Sequence, residues 1–250
     1  MRVKISFHRD HSSVNSLPLH HQKLLADALS DVANKIKGEE VKEFNFSSLK
    51  GTSRIQNGFM RFLSTKVTLV ISSSNEELVN KIVDEIFSQG KLEIGKIRLF
   101  PKATEVISDP EFGTQMRYLC ISPLVLVDPR KDSEKSQEMY NPGSQEFSDL
   151  LYNQVMENME GSGIDEAKLD TYVEFEATPD MHYVQKINET GKKFARFYKC
   201  TEGHPMLGYL LPFTLHAHPE VHKYIWEHGM GALNQEGYGM LDIVNENGNR

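Results

Sequence analysis

Val67-Thr68-Leu69-Val70-Ile71, running on through Ser74-Asn75-Glu76-Glu77 to Gly90, is the stretch on which the fold turns. Its first residues are β-branched or apolar, the composition of a strand. Ser74 to Glu77 then supplies polar cap candidates and first-turn acids, and Leu78, Ile82, Val83, Ile86 and Phe87 recur at helical spacing. Gly90 suits the left-handed residue that closes a helix. Beyond it, Leu92 to Val106 supplies strand material for a hairpin. Working back, Phe44-Asn45-Phe46 reads as a short strand, with a loop or hairpin around Gly51-Thr52-Ser53-Arg54. Before that, Asn15-Ser16-Leu17-Pro18 offers a polar cap and a first-turn proline. It opens a helix carrying Leu24, Leu25, Ala28, Leu29, Val32 and Ile36 to Lys37-Gly38. Arg2-Val3-Lys4-Ile5-Ser6-Phe7 alternates as a half-buried strand does. The order strand, helix, strand, strand, helix, strand is ferredoxin-like, or RRM-like.

The remainder repeats that order more loosely. Strands are expected around Ser122-Pro123 between Met116 and Val127, and a polar loop over Lys131 to Ser144. A helix follows from Phe147 to about Met159, then strands at Thr171–Phe175, His182–Ile187, Phe194–Tyr198 and Leu207–Leu215. A last helix starts at His218-Pro219 and runs into Gly229, and Tyr238 to Val244 ends the pattern with a strand. The expectation is an α+β protein of two tandem ferredoxin-like domains, each an antiparallel sheet with helices on one face. The first covers residues 1–109 and the second 110–250, the boundary falling near Asp109-Pro110.

Composition bounds the function. The 250 residues, 39% hydrophobic and 25% charged, are ordinary for a globular protein able to bury a core. Cys120 and Cys200 make no metal spacing and no disulfide framework, which suits a reducing cytoplasm. Charged residues soon after Met1 leave no room for a signal-peptide apolar stretch, and Tyr118 to Val127 is too short to span a bilayer. A soluble, cytoplasmic protein without membrane partners is expected. The net charge of −7 argues against polyanion binding, yet Asp128 to Glu176 alone holds 13 acids against 4 bases. That leaves +2 elsewhere (−7 + 9), with basic stretches at Lys42–Lys66 and Lys186–Lys199.

Gly229-Met230-Gly231-Ala232-Leu233-Asn234-Gln235-Glu236-Gly237-Tyr238-Gly239-Met240 is the most distinctive segment. Its four glycines permit left-handed backbone and leave main-chain N–H groups accessible to phosphate or to another strand. No Gly-Lys-Ser/Thr follows, which argues against a nucleotide phosphate loop. The segment resembles the glycine-rich signature near the C-terminus of CRISPR-associated repeat-RNA endoribonucleases, the Cas six family. Leu17-Pro18-Leu19 with the following His21-Gln22, Phe44-Asn45-Phe46-Ser47, Val70-Ile71-Ser72-Ser73 and Ile121-Ser122-Pro123 sit where that family has similar pieces.

The resemblance implies metal-independent cleavage of CRISPR repeat RNA into guide RNAs, with no cofactor. A histidine would remove the ribose 2′-hydroxyl proton so that the oxygen attacks the adjacent phosphate. His21 is the first candidate and His20 the second, both near the start of the first helix, where the helix field favours neutral imidazole. Lys50 is a candidate for stabilising phosphorane charge, as is Arg54. Some family members place the histidine after the first helix and a tyrosine on it; here Ala33 to Lys66 holds no histidine and Ser30 stands near the tyrosine's place. Retained cleavage and a non-cleaving RNA-binding subunit with a decayed site are therefore both open. A tandem ferredoxin-like small-molecule sensor is the reading from another class. RNA contacts are expected at Arg54, Lys192, Lys193, Arg196, Gly229, Gly231, Asn234, Gly237 and Gly239. In Lys192–Lys199, alternation would set cations and rings on opposed faces. His218 and His222 are spaced to share a helix face, but no cysteine joins them; His218 before Pro219 suits a helix cap, and no metal site is assigned. Repeat RNA and CRISPR effector proteins are the expected partners, for a monomer or homodimer.

Overall fold

The computed structural model describes residues 1–10, 14–36, 44–127, 140–160, 162, 175–190, 193–199 and 205–244. The chain divides into two compact units. One is Met1–Asp109 with Gln235–Gly237; the other is Pro110–Asn234 with the residues from Tyr238 on.

In the first unit, β1 (Arg2–Arg9), β6 (Lys66–Ser72), β8 (Ile97–Ile107), β7 (Leu92–Ile94) and β3 (Asn45–Phe46) form an antiparallel sheet in the order β3-β6-β1-β8-β7. Alternation dictates its burial: Val3, Ile5 and Phe7 of β1, Val67, Leu69 and Ile71 of β6, and Ile97 and Leu99 of β8 are all at most 2% exposed. They pack with Leu25, Leu29 and Val32 of α1 (Gln22–Lys35) and Val79, Ile82 and Ile86 of α2 (Glu76–Gln89). The α2 ends follow their sequence signals. Asn75 Oδ1 accepts from Leu78 N at 3.0 Å, and Gly90 closes the helix at φ 68°. A separate small sheet runs β2 (Ser16–Pro18), β5 (Phe59–Phe62), β4 (Ser53–Gln56).

Strand β2 is a correction. Ser16-Leu17-Pro18 does not open the first helix; Leu17 pairs with Met60 and Pro18 with Phe59, and Leu17 is 1% exposed. Cap-like residues there are overridden by pairing with β5, and the helix begins at Gln22. His20 and His21 thus precede α1, with His21 at the N-cap position.

The second unit repeats the ferredoxin-like topology. Strands β9 (Gln115–Cys120), β11 (Glu176–Pro179), β14 (Pro212–His216) and β15 (Leu241–Ile243) form an antiparallel sheet in the order β11-β14-β9-β15. Helices α3 (Gln145–Met159) and α5 (Pro219–His228) connect them, Ser144 and His218 capping their N-termini. A three-stranded sheet, β10 (Leu124–Val125), β13 (Pro205–Tyr209) and β12 (Ala195–Lys199), is added in the order β10-β13-β12.

Two further expectations change here. Residues 182–187 are helical, in α4 (Met181–Glu189), because Asp180 Oδ1 caps it through Tyr183 N at 3.0 Å. Tyr183, Val184 and Ile187 then form its more protected stripe, which had read as strand composition. Leu207–Leu215 is two strands in different sheets, broken at Leu210-Leu211. Of the strand expected at Thr171–Phe175, and of the loop at Lys131–Ser144, most lies outside the described residues.

Removing the α2 cap leaves the Leu78 N–H without its acceptor. Asn75→Ala is expected to lower unfolding free energy by about 1 kcal/mol with an unchanged m-value in urea titration.

Candidate functional site

The start of α1 is held by a buried amide. Gln22, 1% exposed, donates from Nε2 to the carbonyl of Gly237 and accepts from Ser48 Oγ at 2.9 Å. Both ends of the side chain are satisfied, as burial demands. The residues just before it in sequence are His21 and His20, so within the first unit the backbone that carries the two histidines leads directly into the residue bonded to Gly237. Gly237 is required there. Its φ is 79°, and a Cβ would fall 2.1 Å from the Phe46 ring and 2.5 Å from Gln22 Nε2.

The two histidines differ. His20 is exposed, whereas His21 is 5% exposed and neither of its ring nitrogens reaches a partner at full hydrogen-bond geometry. Burial pushes the His21 pKa down to about 4, the backbone of Leu19 and Pro18 pulling it part of the way back. The imidazole first in line from sequence is thus neutral at physiological pH but closed to solvent. Lys50 is exposed, its backbone bridged to Thr68 through paired N–H···O bonds of 2.9 and 2.8 Å. Arg54 is exposed on β4.

The other glycines belong to the second unit, in a tightly bonded turn. Gly229 ends α5, its N–H donating to Ile225 O. Met230 N donates to Gly239 O, Ala232 N to Val125 O, Gly239 N to Pro123 O at 2.7 Å, and Met240 N to Ser122 Oγ at 2.8 Å. Asn234 Nδ2 donates to Tyr238 O at 3.1 Å and Met230 O at 3.4 Å, and its Oδ1 accepts from Asn158, which also donates to Gly231 O. These N–H groups, Gly229 and Gly239 among them, serve the turn itself. At Gly239, φ is 71° and a Cβ would lie 1.9 Å from Met230 O, so backbone closure is what this glycine provides. Gly231, at φ 83°, passes against Val125 O.

Lys192 lies outside the described residues. Lys193 is exposed and its carbonyl accepts from Arg196 Nε at 3.4 Å. The expected separation of rings from cations on β12 does not occur: Arg196 and Tyr198 share a parity, and Tyr198 is buried against Tyr238 while Phe197 is 49% exposed on the other side. His218 caps α5 through Nδ1, accepting from Glu220 N at 3.2 Å. His222 is fully buried, its Nδ1 2.9 Å from Tyr118 Oη, and burial lowers its pKa to about 4. Among the described residues no group of three or more histidines, cysteines or carboxylates is placed to hold a metal, and no helix is long and apolar enough to cross a membrane. Gln22, Ser48 and Asn158 were missed from sequence; only the His21-Gln22 pair at the helix start hinted at the first.

Residues 107–243, more than half of the chain, match the family described as CRISPR associated protein Cas6, C-terminal. The chain is 24% identical over 261 residues to the CRISPR-associated endoribonuclease Cas6 1 of Methanocaldococcus jannaschii, covering 98% of this chain and 94% of that one. Among solved structures, that of a Cas6-related gene product from Pyrococcus furiosus superposes with a TM-score of 0.75 at 20% identity, covering 98% of this chain and 99% of the other. An RAMP protein described as binding different RNA substrates gives 0.73 at 18%, covering 98% and 100%. The fold is theirs.

Two outcomes follow from this geometry. Gly239→Ala forces left-handed backbone on a residue with a Cβ and a clash with Met230 O, and is expected to cost about 2 kcal/mol or more in urea unfolding. His21 and His222 have folded pKa values depressed below the ordinary 6.5, so the unfolded chain binds more protons between pH 6.5 and 4. Their contribution is undiminished above pH 6.5 and is lost as pH falls through that window. Urea midpoints measured across it should fall less steeply in His21→Gln and in His222→Gln than in the parent.

Proposed function

The chain belongs to the Cas6 family, and from that premise we propose that it binds CRISPR repeat RNA and cuts it into guide RNAs without a metal ion. The observation that carries the reading is the Gln22–Gly237 bond, which joins the segment bearing His20 to Gly237 within one unit. The exposed His20 is the base of choice, ahead of the sealed His21. Its imidazole takes the proton from a ribose 2′-hydroxyl, the 2′-oxygen bonds to the adjacent phosphorus, and the bond from phosphorus to the 5′-oxygen breaks. The products are a 2′,3′-cyclic phosphate and, after protonation of the departing oxygen, a 5′-hydroxyl. Lys50 counters charge on the phosphorane oxygens. The first unit supplies this chemistry, and the second, with Lys192, Lys193 and Arg196, holds the RNA. The cut guide stays bound or passes to CRISPR effector proteins.

A second reading, a non-cleaving RNA-binding subunit, is favoured by the closure of His21 and the lack of any histidine from Ala33 to Lys66. A labelled transcript of the repeat, incubated with the protein in EDTA beside the same RNA carrying a 2′-deoxy at the cut site, divides the two. Cleavage of the unmodified RNA alone is expected, slowed about 100- to 10,000-fold in His20→Ala. If a folded His21→Ala protein carries that loss instead, the base is His21. Tight binding without a cut establishes the second reading, and no preference for repeat RNA overturns both.

A further inference from the structure

The small sheet β2-β5-β4 of the first unit has an outward face that the reaction above leaves unused. In an antiparallel pair, directly opposed residues share a face, as do residues two apart on one strand. The register sets Arg54 opposite Arg61 and Gln56 opposite Phe59, with Ser16 beside Arg61 and Pro18 beside Phe59. Of the alternate set, Leu17 and Phe62 are buried and Met60 packs against the core, while Ser53 and Ile55, on the edge strand β4, stay exposed. Arg54, Gln56, Phe59 and Arg61 are all exposed, Phe59 at 50%. Asn57-Gly58, at φ 52° and 76°, closes a two-residue turn of the kind that pins such a register.

Two features make this face unlike an ordinary solvated one. Like charges directly opposed across strands destabilise a sheet, and among the described residues neither arginine has a carboxylate within ion-pair distance. Further, residues 44–75 contain no aspartate or glutamate, yet hold Lys50, Arg54, Arg61 and Lys66 in a chain of net charge −7. An open ring between cations meets the two needs of an unpaired nucleotide, a surface for its base and counter-charge for its phosphates.

We propose that this face docks a single-stranded segment of the RNA, one base stacking on Phe59 and the flanking phosphates lying against Arg54 and Arg61. The inference rests on the RNA-binding reading above and adds the strandedness of the RNA and the residues that select it. A paired helix keeps its bases stacked on one another and offers Phe59 nothing; a neutral protein partner would bury two opposed cations without counter-charge.

The test is fluorescence anisotropy of the full chain with a labelled oligouridine of about 15 nucleotides and, in parallel, a blunt RNA duplex of similar length. Phe59→Ala is expected to weaken oligouridine binding about tenfold and leave the duplex unaffected, whereas Phe59→Trp retains binding. Arg54→Gln and Arg61→Gln should each reduce the slope of log Kd against log salt by about 0.7. Neither arginine change should lower the urea midpoint, because each relieves an opposed like-charge pair, a result that a structural role would not give. Equal weakening of duplex and oligouridine by Phe59→Ala overturns the selection of single strands. If all three variants keep parental affinity and salt slope while the parent binds repeat RNA, the RNA reading stands and this face belongs to another partner. A parent that binds neither RNA overturns both.

Discussion

One buried amide carries much of the first unit's local order. Gln22 is closed to water, and its two polar atoms need partners of opposite kind. The donor end finds the carbonyl of Gly237, 215 residues away, and the acceptor end finds Ser48 just beyond β3. A carbonyl can only accept, so the amide's orientation is forced, and with it the entry of α1. The Phe46 ring and Gln22 Nε2 then crowd Gly237 so closely that only a residue without Cβ fits. The place of His20 and His21 is a consequence of that arrangement and not of helix propensity.

The same constraint explains what could be read in advance. The strands at Val3–Phe7 and Val67–Ile71, and α2 with Asn75 and Gly90 at its ends, were legible because their signals are local and agree with one another. Ser16-Leu17-Pro18 was not, because a polar residue and a proline suit a helix start as well as an edge strand; pairing with β5 decided it. Residues 182–187 carry strand-like composition, but Asp180 caps a helix there and holds Arg117 at 2.8 Å as well. The Asn57-Gly58 turn was readable in principle, being the commonest two-residue hairpin signal. Gln22 was unreadable as a linchpin, since nothing local names a partner so distant in the chain.

The candidate site was legible in kind more than in detail. Four glycines close together did mark positive φ, at Gly229, Gly231, Gly237 and Gly239 alike. What their pattern could not say is where the freed N–H groups go. Gly229 and Gly239 donate inside the protein, and Asn234 binds across the turn. Ranking the histidines failed for a related reason. Adjacent residues at a helix entry point in different directions, and which one is buried depends on packing that no spacing rule carries.

Net charge is a poor guide to what such a surface will bind, because the reach of a charge in physiological salt is only about 8 Å. A phosphate approaching β4 and β5 responds to Arg54, Arg61 and their near neighbours, and it is screened from acids farther off than that. Acids are absent from residues 44–75 and crowded into Asp128–Glu176, so the molecule's total of −7 describes neither stretch. The opposed arginines sharpen the point. Their mutual repulsion raises the free energy of the unbound sheet, and an anion seated between them removes it. Some of the free energy of association would then come from relief within the protein itself.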